Sequence, residues 1–449
     1  MKLHHAVFAA CVVLSSAGTS LPLAAQESAE RVTELERKVD VLSQELANLK
    51  LGGDVAPADT ARLRARYGLA PGAAKIYSAH GVSIGGYGEM LFEKFDRTRE
   101  NDALSNATDR IDFLRQILYV GYKFDERLLF NSEIEIEHAG VFDEAEVAVD
   151  PGSGEGTAEL SGEVVLEFAY VDWQLRPQFG LRAGMLLVPV GLTNEMHEPP
   201  VFLGARRPDV ERNIIPTTWR ANGAGVYGES SNGLSYRAYV IEGLDGAHFS
   251  AASMLRGGRQ SGSRSAITKP AFTGRLDWTG NQGLEIGVSA YTGTAWQAAQ
   301  PAGTRLDPRV TLFDVHARWQ WRGVESRALW VAGTLSDAGE LSDALGLSGS
   351  GRLGEKFTGG YVEAGYDVLH LFAPGSRYRV TPYARFESYD TQNDVPGGSE
   401  NPANERRVIT AGTAFAPHPQ VVLKLDREQR HNAADTEVSR WNVALGYLF

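Results

Sequence analysis

Trp441-Asn442-Val443-Ala444-Leu445-Gly446-Tyr447-Leu448-Phe449 carries a large apolar residue at every second position (Trp441, Val443, Leu445, Tyr447), with mostly small or polar residues between. Side chains of an extended chain alternate between two faces, so this period of two predicts a strand with one apolar face. In a soluble sheet that face would pack on a core. Nothing after Phe449 is there to cover it, and lipid is the expected cover.

The other end predicts export. Lys2 supplies a positive region, Ala6 to Leu14 an apolar one and Leu23-Ala24-Ala25 a small-residue ending, so residues 1–25 read as a signal peptide cleaved before Gln26. The single cysteine, Cys11, falls inside it, which excludes disulfides, thiolate chemistry and Cys-ligated metal from the mature chain. No apolar run of membrane-helix length follows, and mean hydropathy is −0.24, so a helical membrane protein is excluded. A barrel is not excluded, because alternating lipid-facing and lumen-facing residues average to a soluble-looking value. Formal charge is −12 and pI about 5.4, against a nucleic-acid partner.

Val32, Leu35, Val39, Leu42, Leu46 and Leu49 recur at spacings of three and four, the a and d positions of a heptad, with Arg31, Glu36, Glu45 and Lys50 at flanking g and e positions. Residues 26–50 therefore read as a short periplasmic coiled-coil helix, and oligomerisation is its expected role. Residues 51–80, with Gly52-Gly53, Pro57 and Pro71-Gly72, read as a linker.

Residues 81–449 read as one barrel domain of about sixteen strands, from Val82–Phe95 to Val438–Phe449. Short turns, such as Asp125-Glu126, Asn232-Gly233 and Arg322-Gly323, alternate with long polar loops, as an antiparallel up-and-down transmembrane barrel requires. Leu128, Phe130, Ile134 and Ile136 share one face of the third strand, against Asn131, Glu133, Glu135 and Glu137; Phe313, Val315, Ala317, Trp319 and Trp321 oppose Asp314, His316, Arg318 and Gln320 in the tenth. A charged residue facing lipid costs about 2–4 kcal/mol near the midplane, so the charged faces should point into a polar lumen. Trp173, Trp278, Trp319, Trp321 and Trp441 fall near strand ends, as aromatic girdles would.

The third long connection, Leu192 to Asn222, holds Val201, Phe202, Leu203, Ile214 and Ile215, too many apolar residues for a free loop, so it should be packed. The alternating final strand with its terminal Phe449 resembles the assembly signal of bacterial outer-membrane barrels, for which Trp441, Tyr447 and Phe449 are the matching residues. Gly85-Gly86-Tyr87-Gly88-Glu89, Val188-Pro189-Val190-Gly191-Leu192 and this connection resemble the phosphate-selective porin O/P family over about Val82 to Phe449. That resemblance implies a third loop folded into the pore, basic side chains on an anion path, and a trimer. The matching candidates are Arg206, Arg207, Arg212 and Arg220, whose guanidinium forks suit oxyanions; the chain has nine lysines and no visible counterpart of the family's lysine ladder.

Glu195, Glu198, Asp209 and Glu211 share the loop, and in the bland alternative the arginines pair with them as braces. Arg318, Arg379, Arg385, Glu133, Glu135 and Glu137 are expected in the lumen, the acids balanced by arginines such as Arg115, Arg379 or Arg385. His197 between Glu195 and Glu198 matches no usual metal spacing and reads as making a loop hydrogen bond. No nucleophile elbow or phosphate loop is apparent, so neither an enzyme nor a cofactor is expected. Two classes remain: a passive outer-membrane diffusion channel for small hydrophilic or anionic solutes in a Gram-negative bacterium, and a closed barrel acting in binding, adhesion or catalysis.

Overall fold

The structure, a computed structural model, describes residues 67–79, 81–140, 162–297 and 306–449. The expected signal peptide and heptad segment lie outside the described residues.

Sixteen strands form one closed sheet: β1 Val82–Phe95, β2 Arg110–Lys123, β3 Leu128–Glu137, β4 Val164–Arg176, β5 Phe179–Leu187, β6 Arg220–Glu229, β7 Leu234–Ile241, β8 Ala271–Trp278, β9 Leu284–Thr294, β10 Arg309–Trp321, β11 Val324–Leu335, β12 Lys356–Tyr366, β13 Arg379–Asp394, β14 Glu405–His418, β15 Val421–Asn432 and β16 Arg440–Leu448. Each pairs antiparallel with its sequence neighbours, and β16 returns to β1 in the register Tyr87↔Leu448 to Phe95↔Arg440. Closure leaves no strand edge, the condition for a sheet in lipid. The twelfth strand stops at Tyr366. Asp367 Oδ1 accepts from the amides of Leu369 and Val380, and this turns the chain into a helical turn, Leu369–Phe372, before β13.

The glycine-rich start of β1 is where the sheet closes. Phe449 exchanges backbone hydrogen bonds with Gly86. A Cβ at Gly86 would stand 2.8 Å from the Phe449 ring, and one at Gly88 2.3 Å from the Tyr447 ring, so side chains at these two positions would displace the final strand's aromatics.

Alternation divides the sheet as the charges require. On β10, Asp314 and His316 are fully buried inside the barrel while Phe313, Val315 and Trp319 are about 40 % exposed outside it. Trp173, Trp278, Trp321 and Trp441 also face outward. These outward-facing residues give the barrel an exposed apolar outer surface larger than the scattered patches of a monomeric soluble protein.

The apolar core lies within the lumen, where two inserts meet the inner wall. Residues 188–219, between β5 and β6, bury Val188, Val190, Val210, Ile214, Ile215 and Trp219. Residues 67–79, part of the stretch that reads as a linker, bury Tyr67, Leu69, Ile76 and Tyr77 against a wall that includes Tyr119, Phe168 and Tyr170.

A candidate constriction and its charges

Backbone packed against the inner wall is shielded from water, so wall side chains must satisfy it. Asp314 Oδ2 accepts from the Gly191 amide at 3.0 Å, Arg275 donates to the Gly191 carbonyl, and Arg327 donates to that of Val201. Lys424 Nζ donates to the Gly204 carbonyl at 2.8 Å, and Asp426 accepts from the Ala205 amide at 2.7 Å. The loop acids complete the mooring. Glu195 lies 3.0 Å from Arg237, Asp209 lies 2.6 Å from Arg430, and Glu211 accepts from the Thr193 amide and the Tyr361 hydroxyl, both at 2.6 Å. Burial would raise the Asp209 carboxyl, but Arg430, Arg440 and Arg206 hold it well below the usual range. Arg237 also reaches Asp277 at 2.7 Å, so Arg237→Met leaves two buried carboxylates short of a partner. The variant is expected to lose about 3–5 kcal/mol of stability, read as a lower unfolding midpoint in denaturant.

With the loop's acids committed to the wall, its arginines divide. Arg206 is a brace, 2.9 Å from Glu93 of β1. Arg207, Arg212 and Arg220 make no ion pair among the described residues; Arg212 is exposed, and Arg207 Nη2 and Arg220 Nε are buried without a hydrogen-bond partner. Arg220 is the first residue of β6 rather than part of the loop.

Two further arginines, which sequence reading did not single out, join them from the connection between β7 and β8. Arg256 donates to the Thr217 carbonyl, and Arg259 to that of Thr218 at 2.5 Å. A carbonyl accepts the bond without cancelling the charge. Burial together with Arg259, Arg212 and Arg207 lowers the Arg256 pKa; burial together with Arg220 and Arg212 lowers that of Arg259, with Glu167 and Glu137 the opposing acids. Five guanidinium groups thus share one region with the carboxylates of Glu133, Glu137 and Glu167. The available signal was a set of apolar residues in that loop, Leu244, Phe249, Met254 and Leu255, all four buried. Arg212 also lines a neighbouring cavity of about 610 Å³ with Arg99, Arg406, Arg430 and Arg440, the last three paired with Glu437, Asp209, Glu428 and Glu93.

The inward ladder is largely paired. Glu135 lies 3.1 Å from Arg115, Glu133 lies 3.3 Å from His197, and Glu137 has no ion pair among the described residues. Arg379 and Arg385 do not balance these acids: Arg385 bridges Glu363 and Glu387 at 3.2 and 2.8 Å, and Arg379 lies 3.9 Å from Glu325. Arg318 holds Glu285 at 2.7 Å. At the closing strand, the Tyr447 hydroxyl donates to Gln116 at 2.8 Å. His197 does make the loop hydrogen bond, from Nδ1 to the Asn194 carbonyl at 3.0 Å, but its charged partners are wall residues rather than Glu195 and Glu198.

Glu198 instead fastens the other insert. Its Oε1 accepts from the amides of Gly72 and Ala73 at 2.8 and 3.3 Å and from the Tyr119 hydroxyl at 3.2 Å. Burial pushes this carboxyl up from 4.5 to about 7, against the pull of those donors. An acid whose pKa is higher when docked favours docking in its protonated form, so docking of residues 67–79 should weaken as pH rises from about 4.5 to about 7 and be flat above. Hydrogen exchange over residues 67–79 measures this, and Glu198→Gln should flatten the pH dependence.

No family model matches the chain. A protein of Aquifex aeolicus strain VF5, described as uncharacterized, is 38 % identical over 394 residues, covering 85 % of this chain and 83 % of its own. The chain belongs to the family of that Aquifex protein. Among solved structures, this family member is similar to a loop L8 deletion mutant of OmpT, an outer membrane protein of Vibrio cholerae, with a TM-score of 0.50 and 8 % identity over 82 % of this chain and 99 % of that one. It also resembles the outer membrane channel DcaP of Acinetobacter baumannii (TM-score 0.49, 11 % identity, 82 % and 97 % covered) and the anion-selective porin from Comamonas acidovorans (TM-score 0.47, 14 % identity, 82 % and 99 % covered). At such identities the likeness to OmpT concerns fold alone, that of a bacterial outer-membrane barrel.

Proposed function

We propose that the protein is a porin of a Gram-negative outer membrane, a non-enzymatic passive channel for small hydrophilic solutes that favours anions. The observation that carries the preference is the cluster of Arg207, Arg212, Arg220, Arg256 and Arg259, set against Glu133, Glu137 and Glu167. Charges lining a narrow passage act on an ion within a Debye length of about 8 Å, so they act on a permeating ion more strongly than the −12 of the whole chain, most of whose charges lie beyond that distance in any narrow passage. Guanidinium forks recognise oxyanions, phosphate among them, through paired hydrogen bonds. The resemblance to phosphate-selective porins favours phosphate as one permeant. Purified protein in planar bilayers should give stepwise openings and an anion-favouring reversal potential in a salt gradient; silence, or cation preference, sinks the proposal.

A second reading has its own observation: residues 67–79 fill part of the lumen, as in a barrel closed for binding, adhesion or catalysis at its loops. A barrel silent even after this segment is removed would favour it. We also propose a homotrimer. Val32 and Val39 at a with Leu35 and Leu42 at d lean toward two strands by themselves, so the barrel wall would set the number. Cross-linking in detergent should yield trimers, and recovery of monomers alone would count against it.

A further inference from the structure

Glu167 faces inward because of a break in register. Between β3 and β4, Glu133 pairs with Phe168 and Ile134 with Leu166, leaving Glu167 as the extra residue of a β-bulge. In an unbroken strand Glu167 and Phe168 would face opposite sides of the sheet; here both are buried inside the barrel. The bulge places a second carboxylate beside Glu133, and His197 of the inserted loop meets them. Its Nε2 lies 3.0 Å from Glu167 Oε2 and 3.3 Å from Glu133 Oε1, and one ligand atom from each of the three residues falls within 4.8 Å of the others. The Nδ1–H of His197 donates to the Asn194 carbonyl, which leaves Nε2, the nitrogen facing the carboxylates, free to act as a ligand.

Two side chains at this point are under-partnered for their burial. Glu167 is 0 % exposed, and beyond the His197 ion pair and the adjoining Glu135 carboxyl neither of its oxygens completes a hydrogen bond. Tyr87, also 0 % exposed, turns an unpartnered hydroxyl toward a neighbourhood containing Glu133 and Glu167. A second trio, Asp277, Glu285 and His316, offers the contrast. There Arg275 and Arg237 hold Asp277, Arg275 and Arg318 hold Glu285, and both nitrogens of His316 are taken by carboxylates. That trio is saturated.

We propose that Glu133, Glu167 and His197 bind one divalent transition-metal ion, which clamps the inserted loop to β3 and β4. One imidazole nitrogen with two carboxylate oxygens is a donor set suited to zinc, and the buried Tyr87 hydroxyl or a water is available for the remaining position. Such a tie would brace the loop against the wall.

The test is zinc binding to the full-length protein in detergent, by equilibrium dialysis with metal analysis. Wild type is expected to hold one zinc per chain. Glu167→Gln, checked for a folded barrel by circular dichroism, should bind about a hundredfold more weakly or worse, and His316→Gln should bind like wild type. If Glu167→Gln does not fold, the melting temperature of wild type in zinc against chelator decides: a rise with zinc supports the site, and no shift overturns it. Wild type that retains no zinc, or a folded Glu167→Gln that retains as much, also overturns it and leaves His197 as a protonated bridge between two carboxylates.

Discussion

Replacing Arg207, Arg212 and Arg220 together by Gln should move the reversal potential in a salt gradient toward cations and lower the anion-to-cation permeability ratio by about fivefold or more. One unit charge about 4 Å from a permeating ion contributes on the order of 1 kcal/mol in water, roughly a fivefold change in local ion concentration, before screening. Three charges are removed here, none compensated by an ion pair among the described residues, so folding loses little with them. Arg206→Gln is the informative control. Arg206 is bonded to Glu93, and its removal should cost stability through that buried acid while changing selectivity less. If the triple variant keeps the wild-type reversal potential, the passage does not run past these side chains. If the wild type already prefers cations, the acids of the lumen set the field and the anion reading falls with the phosphate resemblance.

The strands were legible because the outer face and the lumen impose opposite demands on adjacent residues. Phe313 against Asp314 and Ile134 against Glu133 state the period of two without any knowledge of partners. The inserted loop was legible for a related reason, since Val201, Phe202, Ile214 and Ile215 had to be covered by something. What sequence could not supply was which charges meet. Glu135 and Arg115 are neighbours by register, Glu135↔Ile117 placing Arg115 two residues along, and so were open to inference. The pairing of Arg385 with Glu363 and Glu387 lies among β12 and β13, remote in the sheet order from the acids it was expected to balance. Glu167 was hidden by its bulge, which breaks the alternation used to assign faces. Arg256 and Arg259 were hidden because their partners are carbonyls of another loop. Residues 67–79 were hidden by Pro71-Gly72, which reads as linker chemistry although Leu69, Ile76 and two tyrosines surround it.

Excising residues 67–79 should raise single-channel conductance while leaving the sixteen-strand barrel folded. The segment contributes no strand to the closed sheet, whose ladder runs from β1 round to β16 without it. It does occupy lumen. Leu69 and Ile76 are buried, the Tyr77 hydroxyl donates to Asp172 at 2.6 Å, and Asn131 donates to the Ala73 carbonyl at 3.1 Å. Its removal exposes Tyr119, Phe168 and Tyr170 to water and loses the burial of at least two large apolar side chains, each contributing about 1.5–3 kcal/mol, so the unfolding midpoint should fall. The same physics ties conductance to Glu198 in the wild type. Docking weakens as pH climbs from about 4.5 to about 7, so openings should grow larger or more frequent over that interval. Glu198→Gln should remove the trend, and the excised protein should lack it altogether. A conductance unchanged by excision would mean that the ion path bypasses the segment, and a pH trend that survived excision would place its origin elsewhere in the lumen.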